Sequence, residues 1–527
     1  MNSRAPPAFL DRLAGLPWTP LGRLRRALRD PDRAQRRLLQ ALMERGARTV
    51  WGRAHGFADA LQYRDLVSAF QERVPLGVYE DFRPYIVRAR AGEPDVLWPG
   101  RTLRFGISAG TISAGELIPV SAAMLRAMTR CSLAPGLQYA TRGGGPDFLG
   151  GKILSIPGGI SPDRGRAEVI SGEVSGLMMS AVPSLLARHF QAVPLDVLVL
   201  EDWETKLHQV VARTARQDIR AIIMVPSWAP LLFDHLLAYA ADALPGHPAR
   251  VRDVWPRLRV FFSGGVALRS YRPILRAYLG HDVDFIESYS ASEGFFAFQD
   301  RVESPDLLLH VDSGVFYEFV RMEDRVHDAP RRYTVADVEP GVEYALYVST
   351  CSGLWGYAVQ DVVRFTSTAP PRLEVVGRTA TMLDEYGEAL YADEVERALA
   401  AAASQTGAEC LHHHITYGPL GGTVPQHEVL IEFRVAPPDL GTFVAAIDRH
   451  LRDHNRHYRI RRDPGVMAAP TVTVLPPGAC LAYLHEVRAR VSAQTKLLSM
   501  SPARDVAHGL AAAADRLRRQ HAVRPVA

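Results

Sequence analysis

The apolar positions near the start of the chain repeat at helical spacing. Across residues 30–47, leucine and methionine side chains fall on one face and arginines on the other, so the pattern predicts an amphipathic helix. A second helix is predicted over residues 80–86, with Pro84 near its start. These helices precede the first strand-like segments of the chain.

Short runs of β-branched and aromatic residues follow, and most end at Gly, Pro or Ser. They occupy residues 152–156, 221–225, 258–262 and 283–286. Helical stretches, such as 184–190 and 231–241, lie between them. This alternation predicts an α/β domain in which ligands bind at the carboxyl ends of the strands.

The pattern changes further along the chain. Residues 310–365 read as strands and turns, with an antiparallel meander predicted around 314–320 and 344–349. After Gly377 a smaller α+β module is predicted, with helices and strands at 393–403, 427–435, 443–454, 471–475 and 481–491. We therefore expect a large domain over residues 1–377 and a smaller one over 378–527, with a helical tail past Ala507.

Composition narrows the class of protein. The 527 residues carry 61 basic and 57 acidic side chains, a net charge of only +4, and the charges are interspersed. This argues against a nucleic-acid partner, and no apolar run is long enough to cross a membrane. The four cysteines are scattered, which predicts a reduced, cytoplasmic protein. Lysine occurs only at Lys152, Lys206 and Lys496, so these three positions are candidates for a compact ammonium group that arginine cannot replace, and chance survival on the surface is the alternative.

A loop of small residues is the first candidate site. Residues 106–115 contain three glycines together with Ser108, Thr111 and Ser113, and Ala109 and Gly110 lie between the first two. Glycine lets backbone N–H groups approach a phosphate, and hydroxyl groups add donors. The flanking β-like residues predict a strand–loop–strand, and a plain surface loop remains the alternative.

The second candidate is the segment Tyr289–Phe296. A β-rich run ends there in Ser290, Ala291, Ser292 and Glu293. The Glu293 carboxylate could hold Mg²⁺ between phosphate oxygens, and Phe296 could pack on a nucleobase. The alternative is a strand end at which the glutamate caps the chain or forms an ion pair.

Further along the chain, Asp361 is a candidate ligand of ribose hydroxyls, and a turn aspartate is the alternative. Tyr357 precedes it by four residues, and Arg378 could reach the same ribose or the phosphates. The three adjacent histidines at 412–414 do not predict a metal site, because successive side chains of an extended segment alternate between faces.

Taken together, these motifs resemble the plant auxin-responsive Gretchen Hagen 3 family of acyl-acid amido synthetases, and most closely its bacterial relatives. The resemblance spans roughly residues 38–504 and includes the segments 74–81, 91–100, 225–228, 255–258 and 455–459. It implies an adenylate-forming fold, with a large α/β domain for ATP and the acyl acid and a mobile C-terminal lid. The implied reaction joins a carboxylic acid to an amine, usually an amino acid, through acyl-AMP.

Residue roles carry over by position. The resemblance implies that Ser108 to Thr111 contact the phosphates, and that Ser290 to Glu293 serve the adenine, the acyl carboxylate and Mg²⁺. Tyr357 and Asp361 would flank the ribose. Lys496 would deliver a positive charge from the lid as pyrophosphate leaves.

The chain departs from the family pattern at a few positions. Ala109 replaces a serine, and Glu116 or a neighbour stands where a lysine is usual. Gly356 and Gln360 replace an arginine and a glycine. The loss of a cation near the phosphates and the gain of a carboxylate predict weaker ATP binding or slower adenylation, for which Arg378 and Lys496 could partly compensate. Two alternatives to amide synthesis therefore stay open: transfer of the acyl group to a thiol, such as coenzyme A or a carrier protein, and a binding paralogue without catalysis.

Overall fold

A computed structural model gives the conformation of most of the chain. The described residues are 8–107, 116–163, 166–200, 203–266, 268–302, 304–327, 329–379, 382–383, 386, 388, 390–418, 424–487 and 497–522. They divide into two compact units. The first holds the chain up to Val266 and from Leu279 to Glu374, and the second holds residues 267–278 and most of the chain from Val375 onward.

The helices of the first unit are α1 (Ala8–Ala14), α2 (Pro20–Ala27), α3 (Pro31–Gly46), α4 (Val50–Ala54), α5 (Phe57–Ala60), α6 (Leu66–Arg73), α7 (Tyr79–Arg90), α8 (Ala122–Arg142), α9 (Val174–Ser180), α10 (Ser184–Phe190), α11 (Leu195–Leu198), α12 (Trp203–Thr214), α13 (Ala229–Ala243) and α14 (Val251–Val254). Its strands are β1 (Arg104–Ile107), β2 (Leu117–Pro119), β3 (Lys152–Ser155), β4 (Ile160–Asp163), β5 (Arg166–Gly172), β6 (Ile219–Met224), β7 (Val260–Gly264), β8 (Asp284–Ala291), β9 (Gly294–Phe298), β10 (Leu307–Leu309), β11 (Val315–Arg321), β12 (Glu343–Thr350) and β13 (Tyr357–Thr368). The predicted helices around residues 30–47 and 80–86 are therefore confirmed as α3 and α7.

The remaining helices are α15 (Leu268–Leu279), α16 (Ala392–Thr406), α17 (Leu440–His454), α18 (Arg456–Arg462), α19 (Ala479–Val487) and α20 (Asp505–Ala522). The remaining strands are β14 (Pro371–Arg378), β15 (Met382–Leu383), β16 (Leu390–Tyr391), β17 (Glu409–Tyr417), β18 (His427–Val435) and β19 (Thr471–Leu475). The division between the units falls inside β14, close to the boundary predicted after Gly377.

The main sheet has ten strands in the order β11-β12-β13-β14-β10-β9-β8-β7-β6-β3. Strands β3, β6, β7 and β8 are parallel, and they are the four short runs that the sequence predicted. From β8 to β9 the pairing becomes antiparallel, and β11, β12 and β13 form the predicted meander. A second sheet has the order β2-β1-β5-β4. The mixed sheets with helices confirm the predicted α/β class.

The second unit has its own apolar core. Strands β17, β18 and β19 form its sheet, and buried residues such as Val429 and Ile431 pack with Phe443 and Ile447 of α17. Helix α15 is counted with this unit, where Arg269 pairs with Asp393 at 2.6 Å. Sequence periodicity could not assign α15 to this unit, because the contact joins segments more than a hundred residues apart.

Among the helices that the structure describes, none combines enough length with enough apolar character to traverse a membrane.

Candidate active site

The loop of small residues connects two paired strands. Ile107 of β1 lies opposite Leu117 of β2, so the predicted strand–loop–strand arrangement is confirmed. Ser108, Ala109, Gly110 and Thr111 themselves lie outside the described residues. The strand that enters the loop passes close to the second motif, because a Cβ atom at Gly106 would lie 3.5 Å from the Cβ of Ser292. The first two motifs are therefore neighbours in space.

The second motif is the tip of a hairpin between β8 and β9. Ser290 lies opposite Phe295 and Ala291 opposite Gly294, which leaves Ser292 and Glu293 at the turn. Glu293 is only 7% exposed. The turn therefore holds a carboxylate in a low-dielectric position, where its charge acts strongly on its neighbours.

Phe296 does not offer a stacking surface for a base. Its side chain is fully buried, and its ring centroid lies 5.0 Å from that of Tyr289 and 6.1 Å from that of Tyr317. Every residue of β9 is buried, so both faces of this strand are covered by protein. Phe296 thus packs inside the protein against the hairpin, and neither face of its ring is open to a nucleobase.

Tyr357 brings three separated segments of the chain together. Its side chain is 2% exposed. Burial raises its pKa, as do the nearby carboxylates of Glu293 and Glu116, and its hydroxyl donates a hydrogen bond to Glu116. Tyr79 of α7 also lies near this phenol, and its Oη accepts a 3.2 Å hydrogen bond from the N–H of Leu117. The end of the loop, the hairpin turn and the aspartate segment therefore converge on Tyr357.

An irregularity in β13 positions Asp361. The register with β12 shifts so that Leu346 alone faces Val359, Gln360 and Asp361. Gln360 adopts φ +67°, a left-handed conformation that favours glycine. Such bulges re-aim side chains near functional sites. Here Asp361, which is 5% exposed, accepts a 2.5 Å hydrogen bond from Oη of Tyr289.

The segment 74–81 packs against the start of β13 and holds Tyr357 in place. Gly77 forms a parallel bridge with Tyr357, and its N–H donates to the carbonyl of Gly356 at 3.0 Å. A buried ion pair between Arg332 and Glu318, 2.7 Å long, fixes the start of the segment, because Arg332 also donates to the carbonyl of Val74. Sequence reasoning assigned no role to Tyr79 or Tyr289, although both lie within motifs that it identified.

Two side chains near the carboxyl edge of the parallel strands could meet a ligand. Ile223 of the interior strand β6 is 42% exposed, and Ser155 of β3 lies beside it in register. Ser155 is 2% exposed, and its Oγ has no hydrogen-bond partner among the described residues. An exposed isoleucine next to an unsatisfied hydroxyl is suited to contact with a partly apolar ligand.

Two of the three lysines have structural contacts. Lys206 of α12 is 1% exposed, its Nζ donates to the carbonyl of Pro157 at 2.7 Å, and burial lowers its pKa to about 8. Lys152 donates to the carbonyls of Arg188 and His189 at the end of α10. In both positions the ammonium group donates to backbone carbonyls. Lys496 lies outside the described residues.

The remaining candidates lie in the second unit. Arg378 is exposed at the end of β14. The three histidines lie on β17, where burial lowers the pKa of His413 and of His414 to about 4, and Nδ1 of His414 bonds the carbonyl of Leu498. Among the described residues no group of three or more potential metal ligands is assembled.

The donor set suits ATP with Mg²⁺. Magnesium is usually held by one or two carboxylates together with substrate phosphates and water. Glu293 and Glu116 flank Tyr357 beside the end of the loop, and Asp361 lies across the hairpin on Tyr289. These residues fit a nucleotide site in which the phosphates supply most of the metal's ligands.

Comparison with known proteins places the chain in a family. The GH3 family N-terminal, central and C-terminal domains match residues 20–225, 308–378 and 393–501. A protein of Oryza sativa subsp. japonica that carries the indole-3-acetic acid-amido synthetase name GH3.10 is 27% identical over 458 aligned residues, which cover 73% of this chain and 90% of the relative.

Solved structures agree in fold. The AtGH3.15 acyl acid amido synthetase in complex with 2,4-DB superposes with a TM-score of 0.74 at 18% identity, covering 97% of this chain and 96% of that one. A 2-hydroxyisobutyryl-CoA ligase in the postadenylation state gives a TM-score of 0.57 at 13% identity, covering 96% and 94%. The fold is therefore that of the adenylate-forming enzymes, and with all three domains matched in order, the chain belongs to the GH3 family.

Proposed function

We propose that this protein is an ATP-dependent ligase that activates a carboxylic acid as acyl-AMP and transfers the acyl group to an amine, most readily an amino acid. The observation that carries the proposal is the convergence on Tyr357 of Glu116, Glu293 and the aspartate segment. A relative named as an indole-3-acetic acid-amido synthetase and a structural neighbour named as an acyl acid amido synthetase support the same chemistry.

The reaction has two steps. In the first, a carboxylate oxygen of the acid attacks the α-phosphorus of ATP, and the bond to pyrophosphate breaks. In the second, the amine nitrogen attacks the acyl carbon, AMP leaves with the electron pair of the broken C–O bond, and the nitrogen loses a proton. Both steps gain from fixed charges that match the developing negative charge.

The residues of the first unit divide the work. Asp361, held by Tyr289, would accept the ribose hydroxyls, and Glu293 would hold Mg²⁺ against the phosphates. When bound, Mg²⁺ supplies the charge that offsets the leaving pyrophosphate. Ser108 to Thr111 would donate to those phosphates, and the main chain of Ser290, Ala291 and Ser292 would border the adenine and the acyl carboxylate. The exposed side chain of Ile223 and the hydroxyl group of Ser155 would contact the body of the acid.

The second unit is proposed as a mobile lid over residues 378–527. Its contribution would be positive charge, from Lys496 near the end of the chain and from Arg378 at its start. That role matters here because Glu116 or a neighbour would stand at the place where the resemblance implies a lysine. Two cations from the lid would offset the carboxylate that the loop has gained.

We also propose a bacterial source and a cytoplasmic location. The Ala- and Arg-rich composition with three lysines supports the first, and four unpaired cysteines support the second. The interspersed charges support a small-molecule enzyme without a nucleic-acid partner.

Pyrophosphate exchange tests the proposal. Purified protein is incubated with ATP, Mg²⁺, labelled pyrophosphate and a panel of aryl, indole and aliphatic acids, and acid-dependent exchange is expected. Each active acid is then offered with amino acids or with coenzyme A. Amide products support the proposal, thioester products favour the thiol alternative, and ATP binding without any exchange favours the binding paralogue.

A further inference from the structure

A groove on the surface of the first unit begins next to Tyr79. It has a volume of about 470 Å³ and runs along one face of α7, between that helix, β2 and the hairpin of β4 and β5. Its walls include Tyr79, Leu117, Arg83, Arg90 and Arg166. Neither the proposed nucleotide site nor the proposed acid contacts at Ile223 and Ser155 use these arginines.

The groove is positively charged. Three guanidinium groups line it, and Asp163 is the lining carboxylate. Arg90 donates twice to Oδ2 of Asp163, and Arg166 donates twice to Oε1 of Glu168 and once to the carbonyl of Arg90. These ion pairs are partly exposed and therefore weak, so an incoming anion competes with them at small cost.

Arg83 is the most available of the three. Its side chain is 61% exposed, and its ion pair with Glu80 spans 3.1 Å between two exposed groups. A guanidinium group has five N–H donors in a planar fork that matches a carboxylate. Arg83 can therefore keep Glu80 and still bind a second carboxylate.

The helix places Arg83 at a useful distance from the reaction centre. Tyr79 and Arg83 are four residues apart on α7, so they share a face and lie about 6 Å apart along the helix axis. Tyr79 contacts Leu117 and lies beside Tyr357. Arg90 lies about 16 Å from Tyr79 along the same axis. Of the arginines on α7, Arg83 is therefore the closer to the centre.

We propose that this groove binds the amine acceptor and that Arg83 recognises its carboxylate. The inference rests on the proposed amide synthesis, in which the attacking amine must approach the acyl carbon. In an α-amino acid one carbon separates the amine from the carboxylate, so an amine at the centre places its carboxylate toward Arg83. The exposed Val87, on the same face of α7, would contact the acceptor's side chain.

The test compares Arg83→Gln, Arg83→Lys and the double variant Arg83→Gln/Arg90→Gln with the parent. Arg37→Gln, an exposed arginine of α3 outside the groove, is the matched control. Two assays are run with the acid that gives the fastest exchange. Amide formation is measured with the standard L-amino acids and with methylamine and phenethylamine, which lack the carboxylate. Pyrophosphate exchange reports the first step alone, and thermal melting checks that each variant is folded.

In Arg83→Gln the KM for amino acids should rise about tenfold or more, because the carboxylate loses one charged hydrogen-bonding partner. The KM for amino acids in Arg83→Lys should lie between those of Arg83→Gln and the parent, because an ammonium group keeps the charge but lacks the paired N–H donors of a guanidinium group. Exchange kinetics and the KM for methylamine and phenethylamine should not change, and Arg37→Gln should match the parent.

Two results would overturn the assignment. A change in exchange kinetics comparable to that in amide formation would mean that the groove serves ATP or pyrophosphate. Unchanged amino acid KM in both Arg83→Gln and the double variant would mean that the groove binds no acceptor. A parent that exchanges pyrophosphate but makes no amide overturns the proposed function, and this assignment with it, before any variant is compared.

Discussion

The phenol of Tyr289 donates a 2.5 Å hydrogen bond to Oδ2 of Asp361, across 72 residues of sequence. The bond joins the end of β8 to the bulge in β13. It fixes the orientation of a carboxylate that is 5% exposed. Two motifs that look independent in the sequence therefore form one unit in the proposed nucleotide site.

Asp361→Ala should weaken ATP binding and leave the acid almost unaffected. Each hydrogen bond from a ribose hydroxyl to a carboxylate is worth about 1.5–3 kcal/mol, so the KM for ATP in exchange should rise about tenfold or more. Tyr289→Phe should raise the KM for ATP less, because the carboxylate of Asp361 remains but loses the hydrogen bond that orients it. Tyr139→Phe removes a similar 2.7 Å bond to Asp284 at the other end of β8 and is the matched control. Equal ATP affinity in Asp361→Ala and the parent, measured by calorimetry, would exclude the ribose role.

Lys496→Ala should depress adenylation with acid binding nearly intact. One preorganised charge contact to the leaving pyrophosphate is worth about 3 kcal/mol of barrier, on the order of a hundredfold in rate. Lys152→Ala is the control, since that lysine bonds the carbonyls of Arg188 and His189. Exchange rates that stay the same in Lys496→Ala would remove this lysine from the mechanism.

The sequence predicted the fold well where one local signal decided the structure. The four parallel strands, the meander and the strand–loop–strand at residues 104–119 each carry such a signal. It could not predict which distant segments pair, since β14 lies between β13 and β10 and α15 belongs with the second unit.

In the candidate site, too, the sequence predicted the residues that lie in local motifs and missed those that depend on long-range contacts. Glu293, Tyr357 and Asp361 follow from the motifs and lie within one connected group. The sequence predicts that Phe296 packs on the base, but its ring is fully buried against Tyr289 and Tyr317, and the long-range contact with Tyr317 has no local pattern. Tyr79 reaches the site through the bridge between Gly77 and Tyr357, a long-range contact without a local pattern.

Gln360→Gly should stabilise the protein, because Gln360 holds a φ of +67° in the bulge. A left-handed conformation costs an L-residue about 1–2 kcal/mol, and the extra freedom of glycine in the unfolded chain returns up to about 1 kcal/mol of this. We expect a net gain of up to about 1.5 kcal/mol in the free energy of unfolding, measured in urea. Gly356→Ala is the counterpart, since Gly356 has φ +59° and a Cβ there would lie 2.8 Å from the carbonyl oxygen of Pro75. A gain in stability for Gly356→Ala would contradict the backbone argument.

The second unit should lose stability in acid through Asp448. Burial raises the pKa of this carboxyl, but hydrogen bonds from Arg462 and Tyr458 outweigh it, so the pKa is lowered below 3.8. A group with a lowered pKa stabilises the fold above its unfolded value, and the contribution is lost as pH falls through the folded value. The parent should therefore lose stability below about pH 4. Asp448→Asn should be less stable at pH 7 and show a flatter decline, as followed by urea unfolding between pH 7 and pH 3. Parallel curves for parent and variant would exclude this carboxyl as a source of the acid sensitivity.

Glu116 offers the sharpest test of the altered loop. It accepts a hydrogen bond from Tyr357, and with Glu293 it places two carboxylates beside one buried phenol. Glu116→Lys would remove one negative charge and add a cation near the phosphates, and each such change is worth about 1–4 kcal/mol at partly solvated separations. The expected result is a lower KM for ATP, a faster adenylation rate, or both.

Two matched variants test whether the gain needs a positive charge and whether that charge must be at position 116. Glu116→Gln should give part of the gain, because it removes repulsion without adding a cation, and Glu44→Lys on the exposed face of α3 should give none. Steady-state pyrophosphate release is measured for all of them over the same panel of acids. No gain in Glu116→Lys beside a fast parent would mean that Arg378 or Lys496 already supplies the needed charge. If parent and variant both release no pyrophosphate with any acid, the chain is a binding member of its family, and the carboxylate at position 116 is not what prevents the reaction.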